Sequence, residues 1–303
     1  MIIEVGRELD GLLVRELLNT RLELSRRAVS SLKNNEKGIV LNGERVTVRA
    51  RLSEGDVLEL DLENDGDVIE PTEPVDIPIE VIYEDEALTV VNKPPFMPTI
   101  VSHGHRNDTL ANALAYRYRD KGFVMRAVNR LDRDTSGICI IANSRRSAHI
   151  LGNQMKAHQI EKKYLAVLSG NLENDFEEKT VITGIRRSEG SAMLREVCDA
   201  TEARLAETHY TLISNGKNYC AVAAEPRTGR THQLRVHFSH IGHPIVGDTM
   251  YGTESAEISR QALHAYEITF FHPYTKEKVT LRAKIPSDIM AVVERDGIDL
   301  SSL

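Results

Sequence analysis

Two stretches of the chain concentrate side chains that could do chemistry, and the first is the run 130–137, Arg-Leu-Asp-Arg-Asp-Thr-Ser-Gly. Its carboxylates, Asp132 and Asp134, stand among turn-forming residues directly before an apolar run, which predicts a loop that enters a rigid strand. Loops of this kind often carry catalytic groups. An ordinary charged turn capped by Asp134 or Thr135 is the structural alternative. A glycosidase carboxylate pair is a weaker one, because such pairs usually come from different elements.

The second stretch, residues 227–244, holds four histidines, at positions 232, 237, 240 and 243, among arginines at 227, 230 and 235. The arginines favour an anionic ligand, since a guanidinium fork matches carboxylate and phosphate geometry. Imidazoles also suit zinc, so a metal hydrolase is one hypothesis, although the spacing matches neither a zinc finger nor a His-Glu-x-x-His motif. The chain has no Walker lysine motif and no Gly-x-Gly-x-x-Gly, so a nucleotide-binding fold has no support.

Two shorter features have plain structural interpretations when each is taken alone. Lys93 opens a segment with three prolines, residues 93–98, which predicts a stiff loop after a strand. Tyr164 follows Lys162 and Lys163 at the start of an apolar run, as expected for a half-buried tyrosine at the start of a strand. Neither feature decides a function by itself.

The composition along the sequence predicts that the chain has two parts, which must position these residues. Acids, prolines and a glycine between Asp61 and Pro78 indicate an extended linker. We therefore predict a small module at 10–62, a linker at 63–78 and a larger domain at 79–290. Many apolar runs and few helical ones in the larger domain favour an α+β fold, with a mixed, largely antiparallel sheet and flanking helices. Its predicted strands lie at 79–83, 87–91, 137–142, 164–168, 208–213, 219–224, 265–271 and 279–285, and its predicted helices at 109–118, 148–155 and 234–241.

The sequence of the small module predicts an αα-hairpin followed by a β-hairpin and a last strand. Leucines recur at helical spacing after Asp10, a candidate N-cap, and a second helix runs from Ser25 to Lys33. Asn42-Gly43 between two apolar runs is a strong hairpin signal. Basic residues are dense in this module, and they form either a solvated surface or a phosphate-binding patch. The candidates for RNA contact are Arg26, Arg27 and Lys33.

Taken together and in this order, the motifs of the larger domain resemble the RluA-type pseudouridine synthase family. The matching motifs are Lys93-Pro94, Arg130-Leu131-Asp132, Thr135-Ser136-Gly137, Lys163 with Tyr164, the run 229–237, Gly242-His243-Pro244 with Gly247-Asp248, Leu263-His264-Ala265 and His272-Pro273. The resemblance spans about residues 79–287. Residues 10–62 resemble a small RNA-binding module first named from a small-subunit ribosomal protein.

The resemblance implies an enzyme that isomerises uridine to pseudouridine in structured RNA without a cofactor or a metal. It makes Asp132 the catalytic carboxylate, pairs it with Arg235, and places Tyr164 beside the target base. Arg130 corresponds to an arginine that enters the RNA where the base leaves. RNA contacts are further predicted for Lys93, Arg230 and His232. Asn129 departs from the family pattern, in which many members have histidine before Arg-Leu-Asp.

Composition adds weaker expectations. The net charge of −7 argues weakly against a nucleic-acid protein, but binding depends on where the charge lies. Three dispersed cysteines form neither a disulfide framework nor a zinc motif and fit a reduced, cytoplasmic setting. No signal peptide or membrane-spanning run is evident.

We expect a monomer that acts on large-subunit ribosomal RNA, with transfer RNA as the other option for the substrate. A non-catalytic RNA-binding or ribosome-associated factor is the alternative function, since such a protein would need only the small module.

Overall fold

The structure is a computed structural model that describes residues 1–22, 24, 26–62, 72–173, 177–199 and 201–303. The chain divides into two compact units, residues 1–71 with 144–150, and residues 72–143 with 151–303. The predicted cap Ser25, the side chains of Arg26 and Arg27, and residues 63–71 of the predicted linker lie outside what is described. No described helix is both long and apolar enough to span a bilayer.

The first unit combines two short helical segments with a four-stranded antiparallel sheet of order β1-β4-β2-β3. Its elements are β1 (Ile2–Glu4), a 3-10 turn (Arg7–Leu9), α1 (Val14–Glu16) continued by a π turn (Leu17–Arg21), α2 (Arg26–Asn34), β2 (Ile39–Leu41), β3 (Glu44–Arg45) and β4 (Val57–Leu60). The predicted first helix is therefore shorter and less regular than expected, and Leu13 rather than Asp10 is its N-cap. Strand β1 was missed because three residues carry too little periodicity.

The predicted β-hairpin of this unit is confirmed. Asn42 and Gly43 both have positive φ, 52° and 82°, as the two central residues of a type I′ turn require. The apolar side chains of the helices and strands then close one small core, in which Val14, Leu18 and Leu58 are fully buried.

The second unit is built on a ten-stranded sheet of order β10-β9-β11-β12-β8-β13-β7-β6-β5, with β14 paired to β13. The strands are β5 (Glu80–Glu84), β6 (Leu88–Lys93), β7 (Ser136–Ala142), β8 (Glu161–Ser169), β9 (Lys179–Arg187), β10 (Arg195–Cys198), β11 (Leu205–Asn215), β12 (Tyr219–Pro226), β13 (Leu263–Phe271) and β14 (Lys278–Arg282). The helices are α3 (Leu110–Arg117), a 3-10 turn (Arg119–Lys121), α5 (Gln233–His240) and α6 (Ser287–Asp296), and α4 (Arg145–Lys156) begins in the stretch 144–150 and ends in this unit. Among the described strands every pairing is antiparallel except that of β7 with β13, so the predicted α+β class is confirmed.

Three elements of this unit, β9, β10 and α6, were not predicted. Strand β9 lies near the edge of the sheet and combines apolar residues with a glycine and two arginines, so its period of two is weak. Helix α6 has a readable signal, because Ile289, Val292 and Val293 recur at helical spacing and are buried. In addition, residues 72–78 contact α3: Val75 N donates to Asn112 O, and Asn112 Nδ2 donates to Glu73 O. The last part of the predicted linker is therefore attached to the second unit.

The parallel contact between β7 and β13 fixes where the Asp132 loop enters the sheet. Gly137 has φ of 119°, and a Cβ at this position would lie 2.3 Å from the carbonyl oxygen of Ala265. Only glycine permits both the conformation and this approach. The Ser136 hydroxyl pairs with His264 Nδ1 at 2.9 Å on the neighbouring strand. Gly137 and Ser136 of the Thr-Ser-Gly motif therefore position the loop.

Candidate active site

A cleft of about 400 Å³ opens on the second unit where the 130–135 loop, β8 and the start of α5 meet. Its volume lies within the range typical of small-molecule and nucleotide sites. It brings together six of the residues predicted to form the site: Arg130, Asp132, Tyr164, Arg230, His232 and Arg235. These residues lie up to about a hundred positions apart in sequence, so the fold rather than local sequence gathers them.

The loop that carries Asp132 is fixed on both sides. The hydroxyl of Thr99 accepts from Leu131 N at 3.2 Å and donates to Leu131 O at 2.9 Å. Beyond Asp132, Thr135 accepts a hydrogen bond from Gln261 Nε2 at 3.1 Å. A side chain held between two anchored residues loses little entropy when it engages a substrate, which is what a catalytic position requires.

Arg235 lies between two carboxylates. Its Nε and Nη2 donate to Asp248 at 2.6 and 2.7 Å, while Nη1 lies 3.6 Å from Asp132 Oδ2. The Arg235 and Asp248 side chains are 7% and 0% exposed, whereas that of Asp132 is 29% exposed. Burial alone would lower the pKa of Arg235, but the hydrogen bonds and charge of Asp248 outweigh it and raise that pKa. The guanidinium is therefore a permanent cation beside Asp132.

Asp248 is in turn held by the backbone. Its Oδ1 accepts from Met250 N at 3.0 Å and from Tyr251 N at 3.2 Å. The Tyr251 ring lies 5.1 Å from Arg235 Cζ, and its hydroxyl pairs with His232 Nδ1 at 2.8 Å. Each polar group that orients Arg235 is thus itself oriented, as expected for a preorganised site.

Tyr164 forms another wall of the cleft. It lies on β8 and is 8% exposed, and burial raises the pKa of its phenol above the ordinary value. The ring is therefore a flat, neutral surface that carries a hydroxyl at physiological pH. Such a ring can stack on a nucleobase.

The start of α5 is shaped by its own motif. Gln233 Oε1 accepts from Arg230 N and from the Thr228 hydroxyl, and Gln233 Nε2 donates to Glu207 O. His232 precedes the helix with a left-handed φ of 58°, and burial lowers its pKa. The motif therefore turns the chain sharply, which places His232 at the cleft and Arg235 one helical turn later beside Asp132.

Comparison with known proteins identifies the family of this chain. The model of the RNA pseudouridylate synthase family matches residues 87–240. An uncharacterized RNA pseudouridine synthase of Bacillus subtilis, YjbO, is 36% identical over 278 residues, covering 91% of this chain and 96% of the relative. The chain belongs to the RNA pseudouridine synthase family. It is therefore an isomerase that converts uridine to pseudouridine in RNA.

Other similar proteins agree with the family assignment. Ribosomal large subunit pseudouridine synthase D of Xylella fastidiosa is 35% identical over 301 residues, covering 94% of this chain and 87% of the relative. The solved structure of human RNA pseudouridylate synthase domain containing 1 superposes with a TM-score of 0.57 at 28% identity, over 68% of this chain and 83% of that one. The predicted family and activity are confirmed, and membership favours the synthase over the binding-factor and metal-hydrolase hypotheses.

One prediction for this synthase is corrected by the structure. Lys93 is fully buried, and its ammonium donates to the carbonyl oxygens of Pro94, Met97 and Arg133 at 2.9, 2.7 and 3.1 Å. It therefore cannot contact RNA in this arrangement. Its role is structural, because it ties the proline-rich loop to the Asp132 loop.

The other residues predicted to contact RNA differ in their exposure and in the hydrogen bonds that they form within the protein. Arg130 is exposed at the cleft, whereas Arg230 is partly buried and its Nε donates to Leu205 O at 2.9 Å. Lys33 is exposed on the first unit. Asn129, where many family members have histidine, is 9% exposed and is bound to the backbone of β7 at Ile138 and Ile140. Its amide therefore serves the protein framework.

The histidines of the second stretch do not form a metal site. Within the described ranges, no three His, Cys, Asp or Glu side chains come close enough to hold a metal ion. His237 is fully buried between the hydroxyls of Thr208 and Thr183, at 2.9 and 3.0 Å. It ties α5 to strands β11 and β9.

His237 should make the stability of this synthase depend on pH. Burial lowers its pKa to about 4, so the folded protein keeps it neutral while the unfolded chain takes up a proton below about 6.5. The stabilisation is therefore complete above pH 6.5 and is lost as pH falls toward 4. At ~1.4 kcal/mol per pH unit, His237 should lower the free energy of unfolding by about 2 kcal/mol between pH 6.5 and pH 5.

Urea unfolding of the wild type and of His237→Asn at both pH values tests this. The asparagine variant cannot titrate in this range, so the stability advantage of the wild type should shrink by about 2 kcal/mol as pH falls. An advantage that stays constant with pH would show that the ring is not excluded from protonation.

Two residues that contact Arg235, Asp248 and Tyr251, were not assigned a role from sequence. Asp248 stands in a matched motif, but nothing in the sequence indicates that it binds Arg235. Tyr251 lies outside every matched motif. Lys162 lines the cleft and was also not assigned a role, because the matched motif contained its neighbour Lys163.

Proposed function

We propose that Asp132 is the catalytic carboxylate of this synthase and that its substrate is a uridine of large-subunit ribosomal RNA. The observation that supports the first part is the position of Arg235 between Asp132 and the buried Asp248. Asp248 occupies two of the guanidinium nitrogens, so the third is directed to Asp132. The carboxylate at 132 is then oriented by a buried cation, and it is the more exposed of the two.

The reaction breaks the bond between N1 of the base and C1′ of the sugar, turns the base, and joins C5 to C1′, while C5 loses its proton and N1 takes one up. It needs neither a change in oxidation state nor a group donor. An ionised Asp132 could attack the sugar, attack the base, or remove a proton beside the breaking bond. Each route requires the carboxylate that Arg235 orients, and Tyr164 offers a surface for the base and a hydroxyl for proton transfer.

Uridine within folded RNA must leave its stack to reach Asp132. The cleft is large enough for an extruded base, and Arg130 lies exposed beside it. We propose that Arg130 fills the space in the RNA that the base vacates. Arg230 and His232 then contact the neighbouring nucleotides. The phosphates of the RNA supply the negative charge that these residues face.

The relative of Xylella fastidiosa named ribosomal large subunit pseudouridine synthase D supports the ribosomal substrate, since it matches nearly the whole of this chain. Pseudouridine mapping of total RNA from cells with and without the gene tests this directly. We expect one or a few sites in large-subunit ribosomal RNA to disappear. Loss of sites in transfer RNA alone would contradict the proposal, and restoration by the wild-type gene is the control.

The first unit is proposed to bind RNA, and the enzyme to act as a monomer. Within residues 10–62, every basic residue whose side chain is described is exposed, as phosphate contacts must be: Arg15, Arg21, Lys33, Lys37, Arg45, Arg49 and Arg51. Phosphate binding depends on where these cations lie and not on the net charge of the chain.

Replacing Arg26, Arg27 and Lys33 together with glutamine should weaken RNA binding. The logarithm of the RNA-binding constant K falls linearly with the logarithm of the salt concentration, and each cation that pairs with a phosphate adds about 0.7 to 0.9 to the steepness of that slope. The triple variant should therefore have a slope that is shallower by about two. Lys276, Lys278 and Lys284 of the second unit, replaced in the same way, remove the same charge and serve as the control. Equal effects of the two triple variants would mean that only net charge matters.

A further inference from the structure

Strand β8 presents two consecutive lysines to opposite sides of the sheet. Side chains alternate along a strand, so Lys162 shares a face with Tyr164 while Lys163 faces away. Lys163 forms an ion pair with the buried Glu267 at 3.2 Å. Lys162 instead lines the cleft together with Tyr164 and Asp132.

Within the part of the chain that the structure describes, the Lys162 ammonium has no hydrogen-bond acceptor and no carboxylate partner. It is partly buried, and burial lowers its pKa. A cation withdrawn from water without a partner is unfavourable for the folded protein. Such a group is explained if a ligand supplies the missing acceptor.

The chemistry of the reaction indicates which acceptor. If the N1–C1′ bond breaks, its electron pair stays on the base, and the charge is shared by N1 and the oxygens O2 and O4. If a carboxylate adds to C6 of the base, the charge moves through C5 to O4. On every route that Asp132 could take, a carbonyl oxygen of the uracil gains negative charge.

The position of Lys162 favours the base over a phosphate. Residues two apart on one strand face are about 6.6 Å apart, so the ammonium lies within reach of a base that stacks on Tyr164. The phosphates of an extruded nucleotide stay with the RNA at the mouth of the cleft, where the exposed Arg130 lies. We propose that Lys162 is a catalytic residue that donates a hydrogen bond to a carbonyl oxygen of the target uracil and stabilises its developing charge.

Lys162→Met keeps the length of the side chain and removes the charge, and Lys163→Met is the matched control one position away. RNA labelled with tritium at uridine C5, which the wild-type enzyme converts, supplies the assay. Under single-turnover conditions with excess enzyme, Lys162→Met should slow tritium release by about 100-fold or more, the usual effect of losing a donor to a developing oxyanion. RNA affinity should change less than about threefold. Lys163→Met should release tritium at close to the wild-type rate.

Stability supplies a second readout that does not depend on activity. Because Lys162 has no described partner in the free enzyme, Lys162→Met should melt at the same temperature as the wild type or higher. Lys163→Met leaves Glu267 without one of its partners and should melt no higher than the wild type.

Three results would overturn the proposal. The first is a wild-type single-turnover rate for Lys162→Met. The second is a loss confined to RNA affinity, with the slope of log K against log salt lower by about 0.7, which would assign Lys162 to a phosphate. The third is a slow variant that also melts well below the wild type, which would make Lys162 a structural residue. The outcome is independent of the role of Asp132, which its own variant tests.

Discussion

Replacing Asp248 with asparagine is expected to slow pseudouridine formation by about 100-fold and to lower the free energy of unfolding by about 3 kcal/mol. Asparagine keeps the shape of the side chain but removes the charge that holds the Arg235 fork by two hydrogen bonds. The guanidinium is then a buried cation whose nearest anion is Asp132. It should shift toward Asp132 and disturb the geometry, since displacements of about 1 Å cost roughly this much in rate.

The control for this variant is Asp296→Asn. Asp296 is also buried in the second unit, where it accepts from the backbone of Asn218 and Tyr219, but unlike Asp248 it does not bind a residue that lines the cleft. Both variants should lose stability, which urea unfolding measures. Only Asp248→Asn should lose rate when both are assayed at a temperature at which they are folded. If the two variants slow the reaction equally, Asp248 acts through stability and not by positioning Arg235.

Much of the site could be predicted because its residues fall in contiguous motifs. Arg130 and Asp132 are two positions apart, and His232 and Arg235 are three apart, so each short run carries its own geometry. The strands of the core were predicted for the same reason. Val167 and its neighbours on β8 form an apolar run that is buried throughout, and such runs are readable without knowledge of their partners.

The parts that were missed depend on contacts distant in sequence. The partner of Arg235 is thirteen residues away across a turn, and the carbonyl oxygen of Arg133 that binds Lys93 is forty residues away. A lysine in a motif looks the same whether its ammonium contacts RNA or three backbone carbonyls. Likewise, nothing in two adjacent lysines tells which of Lys162 and Lys163 faces a cleft until the register of β8 is known.

The largest effect is expected for Asp132→Asn, which should lower the rate of pseudouridine formation by at least about 10⁴-fold. The amide cannot act as an anion, whether the carboxylate attacks the substrate or removes a proton. Arg130, Tyr164 and Arg230 are unchanged, so RNA affinity should stay within about threefold of the wild type. Removing the charge of Asp132 leaves Arg235 paired with Asp248, so the fold should be retained.

Asp134→Asn is the matched control for Asp132→Asn. Asp134 is two residues away on the same loop but binds the side chain of Arg133 at 2.7 and 3.0 Å and does not line the cleft. Its replacement removes the same charge from the same loop. The rate of Asp134→Asn should stay within about threefold of the wild type, because an exposed ion pair contributes little.

Single-turnover tritium release by Asp132→Asn, with enzyme in excess over RNA labelled at uridine C5, is the most direct test of the carboxylate's role. The arrangement of Asp132, Arg235 and Asp248 predicts no release above background after many wild-type half-times, from RNA that the variant binds normally. Release at a rate near that of the wild type would contradict it and would require a different residue of the cleft to carry the reaction.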